Sequence, residues 1–272
     1  MHTPAEVSVI PRDIHFRTES AEPAAWLGGD RVATAVFNAL SLTFPEGERL
    51  FIDAVRKFRA VANGKLAEDV RAFIAQEAIH SREHAALNAR LDRDHYPVDF
   101  IEASTHKRLS FIRKLGPMRM LGVTIALEHF TAMLADTFDA YPELWTATPE
   151  ELVRLWRWHA MEETEHKAVA FDVFNEVTKQ WSAGRRYRFR ARVMVLVSMH
   201  FAVNITRYAV ALLVADGMGR WAARWRVLRF LFGKPGLFRR LGPRYRAWFH
   251  PSFHPWDHDN RAKLQQWRRQ YP

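Results

Sequence analysis

Two short motifs supply side chains that can hold a metal: Glu77-Ala78-Ile79-His80 and Glu163-Thr164-Glu165-His166. On a helix, a spacing of three puts carboxylate and imidazole on one face, a turn apart, where both can ligate an ion. With 17 glutamates and 13 histidines in 272 residues, about 0.8 such pairs arise by chance, so two pairs alone decide little. Two more carboxylates give them weight. Glu48 shares a helical face with Phe51, Ile52 and Val55, whereas Glu46 aligns with Arg49, Leu50 and Asp53, so Glu48 is the inward acid of its helix. Glu128 stands among Leu121, Thr124, Ile125, Thr131, Ala132 and Ala135, a face on which a carboxylate must be paired, protonated or metal-bound. Glu48, Glu77, His80, Glu128, Glu163 and His166 together are the donor set of a two-metal site. Four anionic oxygens offset most of the charge of two divalent ions, and hard oxygen with borderline nitrogen suits iron first and manganese second.

His84 and His159 extend the pattern, at four residues after His80 and four before Glu163. They read as orienting groups, proton carriers or additional ligands. Asp172 and Glu165 are weaker candidates for the same surroundings.

Such a set needs four helices that bring their acids to one height. Thr43-Phe44-Pro45-Glu46 reads as a helix start, and Ala62-Asn63-Gly64 as its end. A long helix follows from about Leu66 to Leu91, a weaker one over 99–114, a third long one from Met118 to Ala140, and a fourth from Pro149 to Trp181. Glu48 lies about 14 residues before the first turn and Glu77 about 11 after it, so antiparallel helices at 1.5 Å per residue bring them within a turn of each other. Glu128 and Glu163 match across the second hairpin in the same way. No period-two pattern competes. The expected fold is all-α: a ferritin-like four-helix bundle with a di-metal site over 29–182, an N-terminal arm over 1–28 that holds at most a short strand, and additional helices over 183–272.

At these residues the chain resembles a bacterial family described as predicted metal-dependent hydrolases, through FPEGERLFIDAVR, AFIAQEAIHSREH, ALEHFTAML and WHAMEETEHKAVAFDV. The ligand pattern also resembles the wider ferritin-like di-iron group, which includes fatty-acyl desaturases, aryl-amine N-oxygenases, multicomponent monooxygenases and the radical-generating subunit of ribonucleotide reductase. That resemblance implies Glu48, Glu77, His80, Glu128, Glu163 and His166 as ligands. By analogy the first expectation is an enzyme that activates dioxygen to oxidise a hydrophobic or amphipathic small molecule, served by an electron donor. The alternatives are a hydrolase in which two ions activate water, and a non-catalytic metal-binding or interaction bundle. Small residues near Glu128, Ala132 and Ala135 with Thr131, read either as room for a substrate or as tight helix-packing positions.

Composition narrows the classes further. Cysteine is absent, which excludes disulfides, thiolate zinc, iron–sulfur clusters and a cysteine nucleophile. The opening MHTPAEVSVIPRD lacks the features of a secretory leader, and a cytoplasmic location is expected. The formal charge of +10 is unevenly spread: residues 181–272 hold 19 Lys/Arg and 3 Asp/Glu, a net of +16, which leaves −6 for residues 1–180. The basic part contains the run Val193–Ala215, in which Arg207 is the only full charge. It reads as a fifth helix on the bundle, an interfacial membrane helix or a span; the polar stripe His200, Asn204 and Arg207 opposes the last. Arginines interleaved with Trp and Phe over 185–240 suit an anionic membrane surface. No motif specific for nucleic acid accompanies them. In the tail, His250, His254, Asp257, His258 and Asp259 form a possible second metal site.

Overall fold

The structure is a computed structural model that describes residues 3–18, 24–137, 142–234 and 236–271. It is all-α, without a strand among the described residues. The long helices are α1 (Arg31–Lys57), α2 (Lys65–Asn88), α3 (Val98–Lys114), α4 (Pro117–Asp136), α6 (Glu150–His166), α7 (Val169–Val177) and α8 (Ala183–Ala215). A short α5 (Pro142–Thr146) precedes α6, and α9 (Arg220–Phe232), α10 (Leu237–Arg240), α11 (Gly242–Ala247) and α12 (Arg261–Arg268) follow α8. Helices α1 and α2 form one antiparallel hairpin, and α4 pairs with α6 and α7. The two pairs close on each other through α1–α4 and α2–α6 contacts, while α3 carries the chain across from α2 to α4.

Helix α1 starts a full three turns before the expected Thr43-Pro45. Its cap is Asp30, whose carboxylate accepts from the Val32 and Ala33 amides at 2.7 and 3.0 Å. Pro45 therefore lies inside the helix. Proline has no N–H to give the carbonyl four residues back, here that of Ser41. The Asn88 side chain of α2 donates to that carbonyl instead, at 3.0 Å. A proline that reads as a start signal is accommodated by an amide 43 residues away, which no local pattern announces.

The fourth helix is likewise not continuous to Trp181. It lapses for one turn at Lys167-Ala168, directly after His166, and resumes at Val169. There the buried Lys167 ammonium leaves the bundle to donate to the His258 carbonyl and Asn260 Oδ1, both at 2.8 Å. The third helix ends at Asp136; the rest of its expected length, 138–140, lies outside the described residues.

Helix α4 is surrounded. Helices α1, α3, α6, α7 and α8 all touch it. At Gly122 a Cβ would stand 2.8 Å from the Phe189 ring, so this glycine sets how closely α8 approaches. Gly217, at φ +82°, turns α8 back into α9. The arm over 3–18 has no helix or strand, turns at Ala5-Glu6 and buries Val7, Val9 and Phe16. The buried apolar residues fall into two clusters. One gathers Val36, Leu40, Leu87, Leu155 and Leu212, the other Leu50, Val55, Phe73, Ile125 and Phe174. On α1 and α2 a layer of buried polar residues separates the two, and Glu128 of α4 with Glu163 and His166 of α6 meets that layer.

Candidate metal centre

That layer brings Glu48, Glu77, His80, Glu128, Glu163 and His166 together, each at most 2 % exposed. Glu46 is elsewhere, on the surface between Arg49, His106 and Arg113. Two groups have donor atoms within 4.8 Å of one another: Glu48, His80 and His159, and Glu77, Glu163 and His166. Glu128 faces the second group, with Oε2 at 3.5 Å from His166 Nε2.

Buried acceptors without partners are costly. Here both oxygens of Glu48, Glu77 and Glu128, one oxygen of Glu163, His80 Nδ1 and His166 Nε2 are all buried without an aligned hydrogen bond. His166 Nε2 lies 3.1 Å from Glu77 Oε1, close but out of hydrogen-bond alignment. Burial, together with repulsion from Glu77, Glu163 and Glu128, holds the Glu48 carboxyl well above its ordinary range. Burial and Glu77 do the same to Glu128. Glu163 goes the other way: despite its burial, His166 and His159 hold it well below the usual carboxylate range. Four carboxyls packed this way require either protons or cations between them.

The surroundings fix which nitrogen each histidine offers. His80 Nε2 is 3.0 Å from Glu162 Oε2, a contact that holds the ring with Nδ1 turned to the site. His166 Nδ1 donates to Gln76 Oε1 at 2.8 Å, which leaves Nε2 as the ligand atom. Gln76 cannot flip, because its amide nitrogen donates to Glu165 Oε2 and to the Ile10 carbonyl. Such outer partners orient metal-binding imidazoles.

His84 and His159 have separate roles. The Asn88 amide nitrogen faces the Ser41 carbonyl, so Asn88 Oδ1 must face Ser41 Oγ and take its only proton, at 2.7 Å. Ser41 Oγ can then only accept, from His84 Nδ1–H at 2.9 Å. Burial, then the neighbouring His159, holds His84 neutral by pushing its pKa well below the ordinary value. Its Nε2 is therefore an acceptor, and the 2.6 Å contact to His159 Nδ1 makes His159 the donor there. His159 Nε2 lies 2.9 Å from Glu163 Oε1, where it either donates a proton to that carboxylate or, without the proton, offers a lone pair to a cation shared with Glu48 and His80. His159 thus fits as a third nitrogen ligand, with His84 behind it. The two groups are two buried candidate metal sites.

A second shell of charge lies behind Glu163 and His166. Arg12, buried on the arm, donates to Glu165 at 3.0 Å, to Glu162 at 3.3 Å and to the Tyr271 carbonyl at 2.9 Å. Arg268 of α12 donates to Glu165 at 2.7 Å and also reaches the Ser8 carbonyl. Burial, then Glu165, pushes Glu162 up to about 8. Both ends of the described chain thus meet at Glu165, whereas the expectation for Glu165 rested on the bundle alone. Asp172 belongs to another cluster, where it accepts from His254 at 3.0 Å and from the Thr3 hydroxyl at 2.7 Å. The tail residues do not gather as a metal site among the described residues: His254 caps the turn at Pro255–Asp257, and His250 bonds Ser252.

A cavity of about 50 Å³ opens on the centre through His159 and Glu163. Phe44, Thr131, Ala135, Trp156 and Phe230 line it. Ala135 but not Ala132 faces this space, so only part of the expected small-residue wall borders it.

No curated protein and no solved structure shows a significant match to the chain. A family model described as predicted metal-dependent hydrolase matches residues 10–259. That span holds every residue of the centre except Arg268 and Tyr271 of its outer surroundings, and the chain belongs to that family of predicted metal-dependent hydrolases.

Proposed function

We propose that the protein is an enzyme of the ferritin-like di-metal type, acting with two buried ions on an apolar or amphipathic small molecule. The observation that carries this is the set of buried, unpartnered acceptors on Glu48, Glu77, Glu128 and Glu163, which have no purpose in a bundle built for packing alone. When bound, such ions either acidify water and polarise a carbonyl or phosphoryl group, or give electrons to dioxygen. The protein holds the ligands: Gln76 and Glu162 fix the two ring orientations, and His84 fixes the tautomer of His159. Phe44, Trp156 and Phe230 exclude bulk water and favour an apolar substrate end.

Two reactions are supported by different observations. Hydrolysis is the one that the family's description names, and it has that comparison behind it. Oxidation is favoured by the four-carboxylate donor set and the apolar lining of the cavity. For either, iron or manganese suits the ligands. The deciding experiment reconstitutes the apoprotein anaerobically with ferrous iron and, separately, with manganese or zinc, counts the ions, and assays a panel of esters and amides before admitting oxygen. Turnover without oxygen and with redox-inert ions establishes the hydrolase. Oxygen uptake that needs iron and a reductant establishes the oxidase or oxygenase. A protein that binds no ion specifically removes both readings.

A further inference from the structure

Helix α8 has two unlike sides. Met194, Ile205, Tyr208, Ala209 and Leu212 are buried toward the bundle, where α8 packs on α1 and α4. On the outer side, Val195, Leu196, Met199 and Val203 form a ridge, each more than half exposed. Arg185, Arg188 and Arg192 continue the same side toward the N-terminus, and Arg207 closes it at the other end. At 3.6 residues per turn these eight positions fall in a sector of about 120°. Helix α9, packed against α8, presents Trp221 and Trp225, both more than half exposed, with Phe232 on the same face and Arg224 and Arg229 on its flanks.

We propose that the α8–α9 face docks on the surface of an anionic lipid bilayer, with the Val195–Val203 ridge and the α9 tryptophans in the interface and the arginines at the phosphates. Contiguous exposed apolar side chains require a cover, and aliphatic and indole groups rimmed by arginine match the acyl–headgroup boundary. Charge separates this partner from a second copy of the chain. Residues 183–232 hold ten arginines and a single acid, Asp216. The Asp216 carboxylate is turned inward, where it accepts from the Tyr96 hydroxyl at 2.7 Å. A two-fold contact on this face would therefore set arginine against arginine.

Helix α8 is long and apolar enough to cross a membrane. The spacing of its charges decides otherwise. Only 14 residues, 193–206, lie between Arg192 and Arg207, a rise of about 21 Å against a hydrocarbon core of about 30 Å. Helix α9 also contributes Phe230 to the wall of the cavity, so docking brings that wall within about one helix diameter of lipid. This last step rests on the proposed enzymatic reading, whereas docking itself does not.

The test floats the purified metal-loaded protein with phosphatidylcholine vesicles that contain or lack phosphatidylglycerol, beside Leu196→Ser/Met199→Ser and Arg188→Glu/Arg192→Glu variants. Wild type is expected to float with the anionic vesicles only, and both variants to lose at least tenfold in partitioning while keeping their metal content and melting temperature. Wild-type protein that stays unbound with anionic vesicles overturns the proposal, as does binding that neither variant weakens. A wild-type dimer that the Leu196→Ser/Met199→Ser variant converts to monomer, without vesicle binding, assigns the ridge to a second copy instead. Metal content, read in every sample, separates failure of docking from failure of the metal centre.

Discussion

The centre of the bundle and the outer face of α8–α9 break the usual partition of side chains in opposite directions. Inside, Glu48, Glu77, Glu128 and Glu163 are ionisable groups where apolar ones belong. Outside, Val195, Leu196, Met199 and Val203 are apolar groups where charged ones belong. Each side costs stability in the isolated chain, and each proposed partner would remove one cost: cations the first, lipid the second. The two differ in how they are built. The inner set is braced by neighbours that fix single atoms, such as Gln76 on His166. The outer set has aliphatic breadth and flanking charge but no fixed geometry, as suits a fluid partner.

The strongest way to break this contrast is to remove an inner acid. Glu128→Ala should lower bound metal from two ions per chain to one or none by elemental analysis, while vesicle binding stays as in wild type. If two ions remain bound, the inner half of the comparison fails. Next in size is Arg12→Ala. It leaves Glu162 and Glu165 buried with fewer cationic partners, at a cost of about 3–5 kcal/mol for a broken buried pair, and metal affinity should fall about 10–100-fold through the loosened His80 and Gln76. Thermal melts and a metal competition assay read the two effects separately. Asn88→Leu should cost about 1–3 kcal/mol, because the Ser41 carbonyl that Pro45 leaves without an amide donor also loses the Asn88 side chain.

The pH dependence sharpens the inner half. The carboxyls of Glu48, Glu77 and Glu128 hold their protons to higher pH than an ordinary carboxyl, and His166 holds its own to higher pH than an ordinary histidine, because Glu163 and Glu128 outweigh its burial. Cations must displace those protons. The rise in melting temperature on adding metal should therefore grow as pH increases and shrink as it falls, and binding should release protons measurable by titration in buffers of different ionisation enthalpy. A metal-induced shift that is flat in pH contradicts the proton-filled apo centre. The smallest effect is expected from Ala135→Phe, which fills the cavity at about 1–3 kcal/mol of overpacking; ion count should hold while substrate use changes.

The helical pattern was legible wherever a stripe or a break is local. Tyr96-Pro97, Gly116-Pro117 and Pro149 with its two acids mark true boundaries. Pro45 misleads because its local signal is that of a start, and only Asn88, far along the chain, shows that the helix continues. The lapse after His166 carries no local signal either, and the Lys167 side chain there bonds His258 and Asn260 of the tail. At the centre, Glu-x-x-His spacing is a short-range signal and puts each pair on one face. Ser41, Gln76, Glu162 and Arg12 carry no such signal: their partners lie 43 to 153 residues distant, and an isolated arginine in an extended arm reads as surface. The freedom left to His159 by spacing alone is narrowed by the proton positions that Ser41 and Asn88 impose.

The meeting of Arg12, Arg268 and Tyr271 around Glu165 also sets an order of events during synthesis. The ligands are complete once residue 166 has been made, but Arg268 and Tyr271 come about 105 residues later, roughly 5–20 s at about 5–20 residues per second. For that interval a growing chain can present carboxylates and imidazoles whose outer braces do not yet exist. Faithful choice of ion is then a property of the finished polypeptide, and a nascent one is exposed to whichever divalent ion is most abundant or binds most avidly.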